Sequence, residues 1–384
     1  MTRTYLDYNA TAPVRPPVID AVAAAMAQLG NSSSVHEEGR ASRALIEAAR
    51  ETVRKAVNGP VNGIIFTSGG TEAIHYALHG TVGAGLVRRV FVSAIEHAAV
   101  PANAATLISG EGAVPVETLP VLPTGLLDIE QLRARLSEYD TTRDGDFLVC
   151  LMLANNETGV IQPVREAAAI IHDAGGLLFV DAAQAVGKIP VNFVMLGADM
   201  LALAGHKFGG PLGVGALVVR PDLPLAPVMR GGGHEMNRRA GTSNGPAIAG
   251  LAKACDLATA SLNHGVILGR WRHKMEAAVV AMGATVWGAG QDRLPGTLCF
   301  SAPGFSSETQ LMALDLAGIA VSAGSACSSG KAKPSGVLSA MGASDELARS
   351  AVRISLGWNS KEEDADHFIA SWTQAYQRVR ERAA

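Results

Sequence analysis

Between residues 16 and 255, short runs of almost uninterrupted apolar residues alternate with longer stretches of helical pattern. The runs fall at 64–67, 90–93, 147–153, 177–180, 200–203 and 215–219. Strands that read as apolar throughout, rather than as an alternation of apolar and polar residues, are those covered on both faces. Their alternation with helices predicts an α/β domain built on a mainly parallel sheet. Several helix ends are marked by residue type. Pro16-Pro17 opens an Ala-rich helix that stops at Gly30, Pro163 opens another that stops at Gly175-Gly176, and Asp128 with Gln131 resembles a capping box. After Asp256 the order changes to a long helix through Trp271 and Met275, strand candidates at 297–300 and 319–322, and a final charge-rich helix. This pattern predicts a smaller α+β domain. The expected division is a large domain over 16–255 and a small one formed by 1–15 with 256–384.

A chain of 384 residues exceeds the size at which a single core stops growing, which agrees with two units. Its 48% of apolar residues supplies a sizeable core. The formal charge of −3 and pI near 6.4 give no broad attraction to nucleic acid or to an anionic membrane, so the expected ligands are small molecules. Four cysteines without regular spacing make neither a disulfide framework nor a paired zinc motif, so no metal site and a reducing compartment are expected. Residues 1–13 carry Arg3 and Asp7 and lack the apolar core of a signal peptide, and no apolar run reaches membrane-spanning length. The expectation is a soluble, cytoplasmic protein.

In open α/β sheets ligands bind beyond the carboxyl ends of the strands, so polar residues just after the apolar runs are the candidates for chemistry. Thr67-Ser68-Gly69-Gly70-Thr71-Glu72 follows the first run and opens a helix. It is either a phosphate cradle of backbone N–H groups or a tight turn with Thr71 as the helix cap. No GxGxxG or Walker pattern accompanies it, which argues against a dinucleotide or ATP. Asp181 ends the run 177–180, where a carboxylate either caps the chain locally or meets a buried cation. Lys207 follows the run 200–203 between glycines, a place where an amine is tolerated when neutral or covalently engaged. Cys327 differs from the other cysteines. Cys150, Cys255 and Cys299 stand in apolar patterns and read as core, whereas Cys327 sits in Ser325-Ala326-Cys327-Ser328-Ser329-Gly330-Lys331, a loop built to expose a thiol beside Lys331 and Lys333. A strand-end Lys, a buried Asp and an anion-binding turn together suggest pyridoxal 5′-phosphate, with Lys207 as its covalent anchor and Asp181 on the ring nitrogen.

With these groups in place, the chain resembles the group I cysteine desulfurases of the class V aminotransferase lineage. The resemblance rests on Tyr5-Leu6-Asp7-Tyr8-Asn9-Ala10-Thr11, the Thr67–Glu72 turn, Glu96-His97, Asn155-Asn156-Glu157-Thr158-Gly159, Val180-Asp181-Ala182-Ala183-Gln184, Gly205-His206-Lys207, Gly231-Gly232-Gly233-His234-Glu235, Gly241-Thr242, the Cys327 loop and Arg353-Ile354-Ser355-Leu356-Gly357. It implies the type I pyridoxal-phosphate transferase fold, with a mainly parallel seven-stranded sheet. It also implies a role for each matching residue. Lys207 would link to the cofactor, Asp181 would pair with its ring nitrogen, Gln184 and Asn156 would bond near the ring oxygen, and His97 would stack on the ring and assist proton transfer. Gly70, Thr71 and His206, with Ala204 beside them, would hold the phosphate, joined by Thr242 from the second subunit of a homodimer. Arg353 and Asn156 would bind the substrate, and Cys327 would take the sulfur of L-cysteine as a persulfide and pass it to a sulfur acceptor or iron–sulfur scaffold protein. A selenocysteine lyase, a class V transaminase and a non-catalytic dimeric sulfur-transfer platform are the alternatives. Three positions depart from the family pattern: Ser32 stands for a proline, Ala204 for a serine that would contact the phosphate, and Trp358 for an arginine. The chain also ends soon after its last helix, which weakens the expectation of scaffold docking.

Overall fold

The structure is a computed structural model that describes residues 3–109, 112–324 and 334–383. Its central feature is a seven-stranded sheet. From one edge the order is Ile64–Thr67, Gly215–Val219, Met200–Ala204, Leu177–Asp181, Phe147–Met152, Arg89–Ser93 and Val116–Leu119. Gly215–Val219 runs antiparallel to both neighbours, and the other pairings are parallel. All six strands expected from the apolar runs are present to within a residue. The seventh, Val116–Leu119, carries Glu117 and Thr118 and is only partly buried, so its polar edge position hid it from an apolar pattern.

The parallel strands show why uninterrupted apolar runs were needed. Phe147, Val149 and Leu151 enter one core with Leu178, Val180, Leu201 and Leu203. Leu148, Cys150, Phe179, Met200 and Ala202 enter a second core on the opposite face. Successive side chains point to opposite faces, and helices cover both. Helices Pro16–Met26, Glu37–Ala56 and Gly245–Ala260 supply residues to the first core, and Gly70–Gly83 and Ala99–Ala105 to the second. Cys150, Cys255 and Cys299 are all buried free thiols, as expected of core residues.

A second layer follows. Helices His264–Ala281 and Glu362–Ala383 cover an antiparallel sheet in the order Ser322–Ala323, Ala351–Ser355, Thr297–Ser301 and Thr285–Val286. The expected single strand over 319–322 is divided at Val321. Ile319–Ala320 pairs with the N-terminal strand Thr4–Tyr5, while Ser322–Ala323 pairs with Ala351–Ser355. The long helix expected through Trp271 and Met275 is His264–Ala281, which starts later than residue 256. Gly245–Ala260 continues past that point inside the large core through Ala258, and the chain turns before His264–Ala281. Residues 6–13 therefore lead from the small sheet onto the large one: Leu6 N–H bonds Ala320 O, and Ala12 N–H bonds His206 O. Among the described residues no helix is long and apolar enough to cross a membrane.

Candidate active site

A cavity of about 250 Å³ lies over the carboxyl ends of the strands. The register brings Met152 opposite Asp181 and Asp181 opposite Ala202, so the last residues of two strands lie level with each other, and the third strand runs two residues further, to Ala204. Nine expected site residues line it: Gly70, Thr71, His97, Asn156, Asp181, Gln184, Ala204, His206 and Lys207.

At one end, the helix Gly70–Gly83 begins with Gly69 in the cap position and no side chain satisfying its first turn. Thr71 is inside the helix and does not cap it, so the local-turn alternative gives way to an N-terminus available to an anion. The turn is shaped from behind: Glu72 Oε2 accepts the Ser68 N–H at 2.6 Å, and Thr67 Oγ1 donates to Gly69 O at 3.0 Å. A Cβ placed on Gly70 would stand 3.4 Å from the Cβ of Ala204, so the serine-to-alanine departure lies against this anion site. His206 Nδ1 lies 3.1 Å from Thr11 Oγ1. Burial, with Lys207, Lys188 and His97 nearby, pushes the His206 imidazolium down to about 4, so the ring is neutral near pH 7.

At the other end stands Asp181, which is 6% exposed. Its Oδ1 accepts the Ala183 N–H at 2.9 Å, so it caps the chain locally while it lines the cavity. Burial raises its affinity for a proton, and the backbone bond, His97 and Lys207 oppose that rise. Lys207 Nζ donates to Asn9 O at 2.8 Å and Ala10 O at 3.0 Å. His97 Nδ1 accepts the Ala99 N–H at 3.2 Å, which puts the proton of the neutral ring on Nε2. Asn156 Oδ1 is buried with no hydrogen-bond partner. An anion seat, a primary amine, a buried carboxylate and an orphaned amide oxygen around one cavity fit pyridoxal phosphate group by group.

Two expected residues lie elsewhere. Arg353 does not line the cavity. It is 2% exposed, donates from Nη1 to Asn156 O at 3.0 Å and from Nη2 to Asp7 Oδ1 at 2.8 Å, and its Nε is buried without a partner. Thr242 lines a separate cavity with Phe66, Ser68 and Arg239. Cys327 lies outside the described residues.

Sequence reasoning assigned no role to several residues that hold the site together. Asn9 is the hub. Its carbonyl accepts from Gln184 Nε2 and Lys207 Nζ, its Oδ1 accepts from Lys188, and its Nδ2 donates to Asn156 O and Thr297 Oγ1. Glu96 Oε1 accepts the Met152 N–H at 2.7 Å while Oε2 is buried without a partner. Burial and the nearby Asp181 push the Glu96 carboxyl up to about 8. Glu157, next to Asn156, accepts from Ser335 Oγ, and burial pushes it up to about 7 against the pull of Arg353 and His97. Asn9, Glu96 and Glu157 stand inside the family-like motifs; Lys188 carries no motif signal beyond its place four residues after Gln184. Trp358 donates from Nε1 to Pro13 O at 2.8 Å, and the Arg15 guanidinium lies 5.2 Å from its ring centre. A cation thus remains beside this position although the arginine expected there is absent.

The comparisons with known proteins agree with this geometry. The model of the aminotransferase class-V family matches residues 4–368. A cysteine desulfurase of Cereibacter sphaeroides is 42% identical over 94% of this chain and 93% of its own length. An IscS-like cysteine desulfurase of Mycobacterium tuberculosis is 38% identical over 99% of this chain and 98% of its own. Among solved structures, a NifS-like protein from Rickettsia africae superposes with a TM-score of 0.88 at 30% identity, covering 98% of this chain and 99% of that one. The chain belongs to the class-V aminotransferase family and has its type I pyridoxal-phosphate fold.

Proposed function

We propose that this protein is a pyridoxal-phosphate-dependent cysteine desulfurase that converts L-cysteine to L-alanine and takes the sulfur onto Cys327 as a persulfide. The observation that carries the proposal is the cavity in which Lys207, Asp181 and the uncapped Gly70–Gly83 helix converge, in a chain similar over nearly its whole length to proteins named cysteine desulfurase. The cofactor, when bound, supplies an electron-withdrawing ring that stabilises negative charge on the substrate carbons next to the amine. Lys207 supplies the amine that anchors it, and Asp181 holds the ring nitrogen as a cation. Gly70, Thr71 and His206 seat the phosphate at the helix N-terminus, beside Ala204. His97 exchanges a proton with the substrate through Nε2, and Asn156 and Arg353 orient the substrate carboxylate. The Cys327 thiolate attacks the substrate sulfur: a sulfur–sulfur bond forms, the carbon–sulfur bond breaks, and the bonding pair stays with carbon, which then takes a proton.

The same proposal includes a homodimer in which Thr242 completes the partner's phosphate site. Its position on a separate cavity of its own chain supports this. An acceptor protein, of the iron–sulfur scaffold kind or another, would collect the persulfide sulfur, in keeping with a cytoplasmic location. A platform without catalysis is not favoured, because binding alone requires neither Lys207 nor Asp181. Product analysis decides between the enzymatic readings. L-Cysteine with a thiol reductant should give alanine and sulfide in equal amounts. Cys327→Ala should keep the colour of the bound cofactor and bind cysteine, yet release little alanine; full desulfuration by that variant overturns the persulfide step and favours a lyase. Lys207→Ala should lose the covalent attachment and its absorbance.

A further inference from the structure

Gln184 faces the cofactor cavity, but its carboxamide is anchored from behind. Nε2 donates to the Asn9 main-chain carbonyl at 2.9 Å, and Oε1 accepts from Lys188 Nζ at 2.6 Å. The exchange of its two amide ends would set Oε1 against the Asn9 carbonyl oxygen, two acceptors with no proton between them. Lys188 reinforces the choice by donating also to Asn9 Oδ1, at 2.7 Å. Asn9 in turn is fixed by its Nδ2, which donates to Asn156 O and Thr297 Oγ1.

Two cavities meet at this wall. Gln184 lines the cofactor cavity and not the second one, of about 50 Å³; Lys188 lines the second and not the first; Lys207 lines both. The amide oxygen is therefore drawn to the rear. The amide nitrogen carries two protons, and the Asn9 carbonyl takes one of them, so the other is what Gln184 can offer to a molecule in front. Lys188 is suited to this task. Burial and the charges of Lys207 and Arg353, opposed by Asp7, hold its ammonium well below the ordinary range. Two N–H groups are what Asn9 Oδ1 and Gln184 Oε1 accept, and the amine has them in either protonation state.

The phenolic oxygen of pyridoxal phosphate is borne by the ring carbon next to the one carrying the carbon that bonds to lysine. Lys207 and Gln184 share the Asn9 carbonyl, which sets the amide beside that oxygen. We propose that Lys188 is a positioning residue that locks the Gln184 carboxamide with its N–H, rather than its carbonyl, toward the phenolic oxygen of the cofactor. The inference rests on the cofactor assignment above. It assigns Lys188 no contact with the cofactor or substrate.

The test is the pH titration of the absorbance of the cofactor bound to the intact protein. A hydrogen-bond donor stabilises the phenolic oxygen most when the neighbouring lysine-derived nitrogen has lost its proton and no longer shares the negative charge. Removing the donor therefore raises the midpoint. Lys188→Met should raise it by about one unit, the scale of a hydrogen bond to a charged oxygen. Lys188→Arg, which retains donors, should stay near the parent. In a Gln184→Ala background, Lys188→Met should add no further shift, because Lys188 acts through that amide. An unchanged midpoint in Lys188→Met, or an equal shift in both backgrounds, overturns the proposal; the second result would mean a direct effect of the amine. If Lys188→Met does not fold, a Lys188→Arg midpoint equal to that of Gln184→Ala overturns it, and a parental midpoint supports it. A parent protein that holds no such chromophore would instead overturn the cofactor assignment, so the two failures are distinct.

Discussion

Asp181 and Arg353 are both charged groups in the interior, 6% and 2% exposed, and the chain answers their charges in different ways. Asp181 receives one backbone N–H and otherwise lines a cavity, so its charge is available to a ligand. Arg353 is held on one side by the Asp7 carboxylate and on another by the Asn156 carbonyl. The contrast extends to the surroundings. Asp181 ends a strand in the middle of a sheet packed on both faces, and its position is fixed before any ligand arrives. Arg353 stands in the small sheet, and its partners come from the N-terminal segment and from the Asn155–Thr158 turn. The proposed cofactor end of the site is thus preformed, while Arg353, at the proposed substrate end, already has internal partners at both Nη atoms and lacks one at Nε. A buried ion pair is expensive to break outright, so a carboxylate arriving here must be exchanged against existing bonds rather than simply added.

The largest effect on activity expected from this difference is at Arg353. Lysine keeps the charge that Asp7 needs but cannot make two parallel bonds to a carboxylate. Arg353→Lys should raise KM for L-cysteine by roughly 10- to 100-fold, about 1.4 to 2.8 kcal/mol, with the absorbance of the bound cofactor unchanged. Steady-state kinetics beside a spectrum of the same sample checks both halves. Loss of cofactor with KM preserved would place Arg353 at the cofactor end and erase the contrast.

The same contrast governs what the sequence made legible. Asp181 and Lys207 were found because they follow apolar runs, and strand ends in a parallel sheet share one edge whatever the loops do. The six apolar runs gave six strands for that reason. Val116–Leu119 was missed because an edge strand need not be apolar, and Ala351–Ser355 was not marked as a strand because Arg353 interrupts its pattern although all five of its residues are buried. Lys188 has no local signature, and the motifs that contain Asn9 and Glu96 gave neither of them a role. Their roles arise from hydrogen bonds to residues far away in the chain, such as Glu96 to Met152 and Lys188 to Asn9, and no periodicity encodes such a partner. The Cys327 loop stood out for the opposite reason: its lack of apolar neighbours is itself a local pattern.

A second effect, on stability rather than on activity, separates the two ends by pH. Glu96 lies near Asp181 and Glu157 near Arg353, and burial raises both carboxyls, to about 8 and about 7. A carboxyl whose folded value exceeds its unfolded one contributes stability that is complete below about 4.5 and is lost as pH rises through the folded value. For Glu96 the loss runs from about pH 4.5 to about 8. Glu96→Gln, a neutral mimic of the protonated acid, should therefore gain on the parent by roughly 2 to 4 kcal/mol between pH 5 and pH 8. Denaturant unfolding of the two apoproteins at several pH values measures the difference. Glu157→Gln should show the same sign over a window ending about one unit lower, because Arg353 favours its ionised form and no comparable cation appears among the influences on Glu96. Equal slopes for parent and Glu96→Gln would mean that Asp181 does not stand beside a protonated acid.

The smallest effect tests the anion end of the preformed cavity. Ala204 is 2% exposed, lines the cavity, and faces Gly70, where an added Cβ would come within 3.4 Å of its own. A hydroxyl on this Cβ would sit beside the first turn of Gly70–Gly83, which no side chain caps. A hydrogen bond to a charged phosphate contributes about 1.5 to 3 kcal/mol, less the cost of a hydroxyl that must be stripped of water when the ligand enters. The net gain should be near 1.4 kcal/mol, or about tenfold in affinity. Ala204→Ser should therefore retain pyridoxal phosphate about tenfold more tightly than the parent, with little change in kcat, because the added bond forms equally in the ground and transition states. Equilibrium dialysis of the apoproteins against pyridoxal phosphate, followed by the same titration with inorganic phosphate, reads the effect and assigns it to the phosphate group. Tighter binding of both ligands would sharpen the picture of a rigid anion seat; no change in either would remove the phosphate from this helix and leave the cofactor end without its anchor.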